Sequence, residues 1–320
     1  MPGAADTGGS LQTHGCGVAV KVLVMHTLPP VEAGEGRIAG EFDLHEAAHA
    51  IASVLAGSVV AGIRGTPSEV IELLRMHQPD VVFNLCEAPQ GLPRLEPHLA
   101  ALLEWLNVRF TGAGSDTLSL CRRKDLTNAV LEVAGVPLPG RSGFPCIVKP
   151  ADEDGSAHID SDSICATDEE IVLARARIPG HAMVQEFLPG REFAVSLWGQ
   201  HDPDYYSIGE TVFRGGLRLV TYAAKWHVES PDFADSPMHY DSDIEPSLRE
   251  AIVEAARGAW RAVGARHVLR VDVRLDAEGW PRVIDVNPNP EISPEVGISR
   301  AVREAGWTWS DFIHKLVEWA

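Results

Sequence analysis

The chain has 320 residues, 45% of them apolar, and a formal net charge of −18 at pH 7. A chain of this length and composition can bury sizeable cores and is expected to form two or three lobes. The acidic balance argues against nucleic acid or an anionic membrane as the main partner, because both bind basic surfaces. An anionic ligand would therefore need a local group of basic residues.

The cysteines and the start of the chain indicate a protein of the reducing cytoplasm. The five cysteines are scattered and show no CxxC spacing, so neither a disulfide framework nor a structural zinc site is predicted. The apolar run at 18–25 is short and is interrupted by Lys21, unlike a signal peptide or a membrane span. Residues 1–18, rich in Gly, Ser and Thr, are predicted to form a disordered leader.

Strands and helices alternate over residues 19–113. The predicted elements are a strand at 20–25, helices at 42–55 and 68–78, a strand at 80–88, a helix at 97–106 and the segment RFTG at 109–112. Alternation of this kind indicates a parallel sheet covered by helices on both faces. We therefore predict an N-terminal α/β domain.

Strands dominate the middle of the chain, and alternation returns towards its end. The unit 114–198 is predicted to hold a helix at 125–135 and a small antiparallel sheet with an acidic, mobile loop, its strands lying at 144–150, 181–188 and 191–199. The unit 199–320 is predicted to hold strands around 207–222, a helix at 246–264, strands at 267–276 and 281–287, and a closing helix through 320.

The segment RVDVRLDAEGWPRVIDVNPNP (270–290) predicts a metal site. DAEG is a turn signal between two strand-like runs, so Asp272 and Asp285 can lie on paired antiparallel strands and share a face. Asn287, two residues after Asp285, points the same way. Two carboxylates and an amide oxygen suit Mg²⁺. The alternative is a hairpin with a solvated polar face, but polar groups inside the apolar VIDVN would be costly to bury unpaired.

Lysine usage gives an independent indication of phosphate binding. Of the 27 basic residues only five are lysines, namely Lys21, Lys124, Lys149, Lys225 and Lys315. A compact ammonium that binds phosphate as a point charge is one reason to keep a lysine where arginine is otherwise preferred, and chance retention is the alternative. The Gly-Ser loop in DEDGSAHID (152–160) could add backbone N–H donors, although its carboxylates oppose this unless magnesium intervenes.

The order of these motifs resembles the ATP-grasp carboxylate–amine ligases, and within them the D-alanine–D-alanine ligase-like branch. The resemblance covers about residues 80–310. The matching segments are NLCEA, RFTGAGSDTLSLCRRKDLTNAVLEVAGVPLP, FPCIVKPADEDGSAHID, VQEFLPGREFAV, TYAAKW, RVDVRLD and VIDVNPNP. It implies an ATP-grasp fold with an N-terminal parallel-sheet domain, a small central antiparallel lobe and a C-terminal metal-binding lobe.

The resemblance also implies a role for each matching residue. Lys124 and Lys149 would hold the ATP phosphates, and the loop with Gly155 and Ser156 would close over them. The adenine segment would be Gln185, Glu186, Phe187 and Leu188, and Glu192 would hold the ribose hydroxyls. Lys225 would contact the γ-phosphate. Asp272, Asp285 and Asn287 would hold two magnesium ions, with Mn²⁺ as a substitute, and Arg270 would stabilise the oxyanion of a tetrahedral intermediate.

The reaction implied is attack of a substrate carboxylate on the γ-phosphate of ATP, giving an acyl phosphate that an amine captures. The substrates would be small molecules, amino acids above all, and the by-products ADP and phosphate. Catalysis of this kind is mainly positioning and charge neutralisation. A homodimer is implied by resemblance alone.

Two departures from the family pattern bear on the product. The first strand ends in MHTLPP where these ligases carry a GG-x-S-x-E loop, and Pro290, Glu291 and Ile292 stand where Pro-Gly-Met precedes a serine-bearing segment. Glu291 suggests an acceptor that is cationic or lacks a carboxylate. A true D-alanine–D-alanine ligase with divergent substrate loops is the alternative.

Each of the remaining candidate site residues has a second interpretation. Glu87 follows a strand at the end where ligands bind parallel sheets, or is a solvated loop carboxylate. Arg214 or Arg218 could bind a substrate carboxylate, or lie on the surface. HEAAH (45–49) matches a zinc-protease pattern but lacks a clear third ligand, and is interpreted as a plain helix. A nucleotide-binding regulatory protein without turnover is the rival function, against which the retained lysines, Arg270 and the metal trio argue.

Overall fold

The computed structural model describes residues 20–28, 38–141, 143–153, 155–216, 218–226, 229–295 and 297–320. The leader predicted for 1–18 lies outside these ranges. Within them, no helix is both long enough and apolar enough to cross a membrane.

The N-terminal domain is built on a parallel sheet with strand order β2-β1-β3. Its elements are β1 (Val22–Thr27), α1 (Ile38–Val54), β2 (Val59–Ile63), α2 (Pro67–His77), β3 (Val81–Leu85) and α3 (Glu96–Trp105). All of β1 is buried, as expected for a central strand with both faces covered. A parallel bridge from Val82 to Phe110 extends the sheet at the predicted segment 109–112. The predicted alternation and parallel pairing are confirmed.

Two helices and a small antiparallel sheet follow. These elements are α4 (Ser115–Cys121), α5 (Lys124–Val133), β4 (Cys146–Pro150), β5 (Ile164–Cys165), α6 (Asp168–Ala176) and β6 (Ala182–Glu186). The strand order is β5-β4-β6. The small sheet has a core of its own, formed by Cys146, Val148, Cys165, Ala174 and Ile178.

A five-stranded antiparallel sheet of order β11-β10-β7-β8-β9 forms the centre of the remaining chain. Its strands and helices are β7 (Glu192–Gly199), β8 (Tyr205–Thr211), α7 (Tyr222–Trp226), α8 (Pro231–Ala234), β9 (Met238–His239), α9 (Pro246–Val263), β10 (His267–Leu275), β11 (Pro281–Asn287), α10 (Gly297–Glu304) and α11 (Trp309–Trp319). Helix α9 packs its apolar face, including Ile252 and Trp260, onto Val195 and Val271 of the sheet. The predicted closing helix is two helices, α10 and α11.

The assignment of 191–199 to the small sheet is wrong. This segment forms β7, which pairs with β8 on one side and β10 on the other. Its run FAVSLW is buried through Phe193, Val195 and Leu197, which suits the centre of a large sheet rather than the edge of a small one. The division into 19–113, 114–198 and 199–320 stays a prediction, and this pairing favours a second boundary before Glu192.

The end of β7 links the large sheet to the N-terminal domain. Trp198 is fully buried in a core that also contains Val24 of β1, Phe83 of β3 and Phe312 of α11. The ring of Trp198 makes an edge contact with Phe312, their centroids 6.4 Å apart. The parallel sheet and the five-stranded sheet therefore share one apolar core.

Truncation of a core residue of β10 should destabilise the protein strongly. Leu269 is fully buried, so Leu269→Ala is expected to lower the free energy of unfolding by about 2–5 kcal/mol through lost burial and a residual cavity. Leu173→Ala, at a side chain that is 67% exposed, is the matched control and should stay within about 0.5 kcal/mol. Urea unfolding followed by tryptophan fluorescence measures both. Equal losses would contradict the burial assigned to Leu269.

Candidate active site

The β10–β11 hairpin places the predicted metal residues on one face. Asp272 is directly opposite Asp285, and Arg270 is directly opposite Asn287. Because opposite residues of an antiparallel pair point to the same side, these four side chains share a face. Val271, between Arg270 and Asp272 on β10, is buried in the core below. The prediction that both aspartates lie on paired antiparallel strands is confirmed.

An irregularity in the hairpin positions Lys149, a basic residue of the small sheet. The register shifts after Asp272, so that Ile284 is an extra residue on β11. A bulge of this kind leaves the extra residue outside the regular ladder. The carbonyl oxygen of Ile284 accepts a hydrogen bond from Lys149 Nζ at 2.9 Å. Lys149, on β4 of the small sheet, thereby reaches the carboxylate face of the large one.

A cavity of about 390 Å³ lies over this face. Most of the residues predicted from the sequence to bind nucleotide and metal line it: Lys124, Lys149, Gly155, Ser156, Gln185, Glu186, Phe187, Leu188, Glu192, Arg270, Asp272 and Asp285. They come from the start of α5, from the small sheet and its loops, from β7 and from the hairpin. The fold therefore brings together residues that are widely separated in the sequence.

Each aspartate of the hairpin lies against a basic group. Lys124 Nζ is 3.0 Å from Asp285 Oδ1. The backbone N–H of Lys124 donates to Ala151 O at 2.7 Å, which fixes the start of α5 beside the end of β4. Arg270 donates two parallel bonds to Asp272, at 2.9 Å from Nε and 3.1 Å from Nη2. Asp272 holds the pKa of Arg270 above its ordinary value, so the guanidinium stays charged.

The pKa of Lys149 is lowered to about 8. Burial is the main cause, since a charged ammonium loses solvation in the protein interior. The charge of Asp285 opposes the shift and that of Lys124 adds to it. Lys149 therefore changes charge within a pH range that is accessible to experiment.

The hairpin face fits a hard divalent cation. The side chains of Asp272 and Asp285 keep 19% and 31% of their surface accessible. Asn287 Oδ1 accepts from Asn289 N–H at 2.9 Å, which orients the amide and leaves a lone pair on the oxygen. No group of three or more His, Cys, Asp or Glu in the described ranges is arranged to hold a metal ion. Magnesium would thus complete its shell with phosphate oxygens and water, as is usual for this ion.

Arg274 is a site residue that the sequence interpretation missed. It is 4% exposed, and its Nη1 donates to Glu192 Oε2 at 3.0 Å while Nη2 donates to Arg218 O at 2.6 Å. Its guanidinium lies between the rings of Phe187 and Phe213, at 4.9 and 5.4 Å. The spacing RVDVR indicates that Arg274 belongs to the site, because Arg274 is two residues from Asp272 and so lies on the same face.

Four predicted substrate residues lie outside the cavity lining. Arg218 donates to Pro189 O at 3.1 Å, and Arg214 N–H donates to Asp235 O at 2.8 Å. Glu87 keeps contact with solvent but is closely surrounded, and its pKa is raised to about 7 by desolvation and then by the charge of Glu291. Glu87 and Glu291 are therefore near enough for their charges to interact, and Glu291 lies directly against Gly297 of the cavity lining.

Lys225 and the HEAAH segment complete the predicted candidates. Lys225 lies in α7, and its side chain is outside the described part of the chain. In α1, His45 packs its ring against His49, and His45 Nδ1 is 3.4 Å from Nε2 of the buried His26. The HEAAH pattern does not predict this contact between His45 and His26. HEAAH lies within α1, as its interpretation as a helical segment expects. Among the described residues, no group of three or more His, Cys, Asp or Glu is arranged to hold a metal ion.

Comparisons with known proteins agree with the geometry. The family model described as D-ala D-ala ligase C-terminus matches residues 123–318. An uncharacterized protein of Sinorhizobium fredii is 29% identical over 254 residues, covering 74% of each chain. A D-alanine–D-alanine ligase of Rhizobium meliloti is 26% identical over 270 residues, covering 78% of this chain and 83% of that one.

Solved structures show the same fold. The D-alanine–D-alanine ligase of Bacillus anthracis, complexed with ATP, superposes with a TM-score of 0.72 at 14% identity, covering 94% of this chain and 96% of that one. The corresponding enzyme of Coxiella burnetii gives a TM-score of 0.68 at 18% identity, covering 94% of both chains. The family model spans more than half of the sequence, so the chain belongs to the D-alanine–D-alanine ligase-like branch of the ATP-grasp ligases.

Proposed function

We propose that this ligase joins a substrate carboxylate to a substrate amine through an acyl phosphate, and releases ADP and phosphate. The observation that carries the proposal is the opposition of Asp272 and Asp285 in one cavity with Lys124, Lys149 and Arg270. Paired carboxylates for metal, ammonium groups for phosphate and a charged guanidinium are the groups that acyl-phosphate chemistry requires. The names of the relatives support the same reaction class.

The first step brings two anions together. A carboxylate oxygen attacks the γ-phosphorus of ATP, and the bond from that phosphorus to the ADP oxygen breaks. Lys124 and Lys149 lower the repulsion by binding phosphate oxygens, and Lys225 is proposed to do so at the γ-phosphate. Two magnesium or manganese ions on Asp272, Asp285 and Asn287 would supply further positive charge.

Arg270 serves the second step. The amine nitrogen attacks the acyl carbon, the former carboxyl oxygen takes up negative charge, and phosphate leaves as the amine loses a proton. Arg270 has five N–H donors, of which two bind Asp272, so others remain for the developing oxyanion. An oxyanion donor of this kind stabilises the transition state by about 3 kcal/mol.

The rest of the cavity positions the nucleotide. Gln185, Glu186, Phe187 and Leu188 are proposed to contact adenine, with Glu192 binding the ribose hydroxyls. Arg274 fixes the carboxylate of Glu192 through a buried ion pair. The loop with Gly155 and Ser156 is proposed to close over the phosphates, which would keep water from the acyl phosphate.

D-alanine dipeptide synthesis is the second candidate, since most of the named relatives are D-alanine–D-alanine ligases. The segments MHTLPP (25–30) and PEISPEVG (290–297) differ from the sequences that D-alanine–D-alanine ligases carry at these places, which favours a different pair of substrates. A homodimer and a cytoplasmic location remain predictions.

A screen of carboxylates against amines, with ADP release as the readout, tests the function. Amine-dependent ADP release is expected for at least one pair, and Asp285→Asn should reduce it at least about 100-fold because a metal ligand contributes several kcal/mol to the transition state. Asp241→Asn, at a side chain that is 93% exposed, is the control and should keep full activity. Unchanged turnover in Asp285→Asn would overturn the proposal. ATP binding without release for any pair would support the regulatory alternative.

The affinity of the free protein for ATP should fall as the pH rises through about 8. The side-chain amine of Lys149 attracts phosphate only when it is protonated. Because its pKa is about 8, the charged form prevails below this pH and is lost above it. The first pH units above 8 should each weaken binding by up to about tenfold, measured by calorimetry with magnesium present, until ATP is held by the other cationic groups alone. Lys149→Arg stays charged over this range and should lose the dependence. A pH dependence that Lys149→Arg retains would assign it to another group.

Arg274→Lys should weaken nucleotide binding through Glu192. Loss of a charge-assisted bond is worth about 1.5–3 kcal/mol, so the KM for ATP is expected to rise about 10–100-fold. The preference for ATP over 2′-deoxy-ATP should shrink, a change that general loosening of the fold would not cause. Arg282→Lys, which disturbs the pair with Asp276 on the same hairpin, is the control. An unchanged preference in Arg274→Lys would refute the positioning role.

A further inference from the structure

A row of small residues extends the metal face across the sheet. In the strand register Asp285 is opposite Asp272, Asp272 is opposite Ala194, and Ala194 is opposite Gly209. Ala194 lines the cavity, as does Ser196 two residues further along β7. With strands about 4.8 Å apart, Gly209 lies roughly 10 Å from Asp272. The cavity thus has a low floor beside the aspartates.

A wall rises at the far side of this floor. Met238 of β9 and Tyr240, just after it, cover Gly209 closely: a Cβ added there would lie 2.5 Å from Met238 Sδ and 3.1 Å from Tyr240 Cε1. Arg300 of α10 stacks on Tyr240, with Cζ 5.1 Å from the ring centroid. Both residues line the cavity. A group lying on Ala194 would therefore have Asp272 on one side and the Tyr240–Arg300 pair on the other.

Arg300 differs from the other arginines around the cavity. Arg270 is paired with Asp272, and Arg274 is paired with Glu192. Glu295, an acidic residue on the same wall, is bound by Arg303 through two bonds of 3.2 and 3.1 Å. Within the part of the chain that the structure describes, Arg300 forms no ion pair. Its exposed guanidinium can take an anion at little desolvation cost.

The helix that carries Arg300 is fixed to the continuation of the hairpin. Ile298 N–H donates to Glu291 O at 3.1 Å, and Ser299 Oγ donates to Ile292 O at 2.8 Å. Gly297 has a φ of 53° and lies so close to Glu291 that an added Cβ would be 2.4 Å from its carbonyl oxygen. Only glycine fits this position, so the start of α10 is held relative to β11.

We propose that Arg300 is a specificity-determining residue that binds a non-reacting carboxylate of a substrate lying on Ala194 and Ser196. The inference rests on the proposed function and names its substrate class: at least one substrate carries a carboxylate besides the group that reacts, as an amino acid does. A guanidinium binds a carboxylate through two parallel bonds, and its stack on Tyr240 limits its orientation. This assignment is the alternative to a cationic or carboxylate-free acceptor, which Glu291 suggests; Glu291 itself does not line the cavity but lies against Gly297, which does.

Kinetics with an active substrate pair test the proposal. Arg300→Gln should raise the KM of the carboxylate-bearing substrate about 10–100-fold and leave the KM for ATP within about twofold. The amide of the non-reacting carboxyl should bind weakly to the unaltered enzyme and be indifferent to Arg300→Gln. Arg303→Gln, on the same helix but bound to Glu295, is the matched control and should leave the ratio of acid to amide unchanged. Equal losses on acid and amide in Arg300→Gln would overturn the proposal.

Binding separates this proposal from the proposed function. Calorimetry with magnesium and a non-hydrolysable ATP analogue present, over a panel of D- and L-amino acids and their α-amides, needs no turnover. Preference for the acid that Arg300→Gln abolishes is the expected result. A protein that shows this preference but never releases ADP would sink the proposed reaction and keep Arg300 as a carboxylate ligand. Absence of any acid-over-amide preference in the unaltered protein would refute the role of Arg300.

Discussion

The arrangement of the whole site depends on how the repulsion between two opposed carboxylates is offset. Asp272 and Asp285 are directly across from each other on adjacent strands, where like charges destabilise a sheet. Lys124, at the start of α5, offsets that repulsion at Asp285, and Arg270, on the hairpin itself, offsets it at Asp272. The small sheet, α5 and the five-stranded sheet must meet at this point for the charges to balance. The same basic groups are then in place for any phosphate that approaches.

Most of the hairpin could be predicted from the sequence because its geometry is local. A four-residue turn fixes the register, and alternation then decides which side chains share a face. The bulge at Ile284 was not predictable in this way. It is what gives Lys149 a carbonyl partner, and a contact between two separate sheets leaves no local trace in the sequence. The role of that lysine in phosphate binding therefore rested on lysine scarcity and resemblance.

Long-range partners account for the errors and omissions. The apolar run of β7 suits either sheet, and only its pairing with β8 and β10 shows which one it joins. Arg274 could be found by the alternation of side chains along β10. Tyr240 and Arg300 could not, because Tyr240 follows β9, Arg300 lies in α10, and the two meet only in the folded chain. Most of the residues that the resemblance assigns to the nucleotide line one cavity, and their roles in binding it stay predictions.

Asp285, Asp272, Ala194 and Gly209 form one row across the sheet, and the two ends of this row have different proposed functions. In the functions proposed above, the reaction takes place at the hairpin end and the substrate is selected at the Tyr240 end, with the small side chain of Ala194 between them. A larger residue at Ala194, which lines the cavity, would shorten the space for substrate without replacing a proposed metal ligand. Substrate preference can therefore drift during evolution by single substitutions in the floor, while the reaction stays the same.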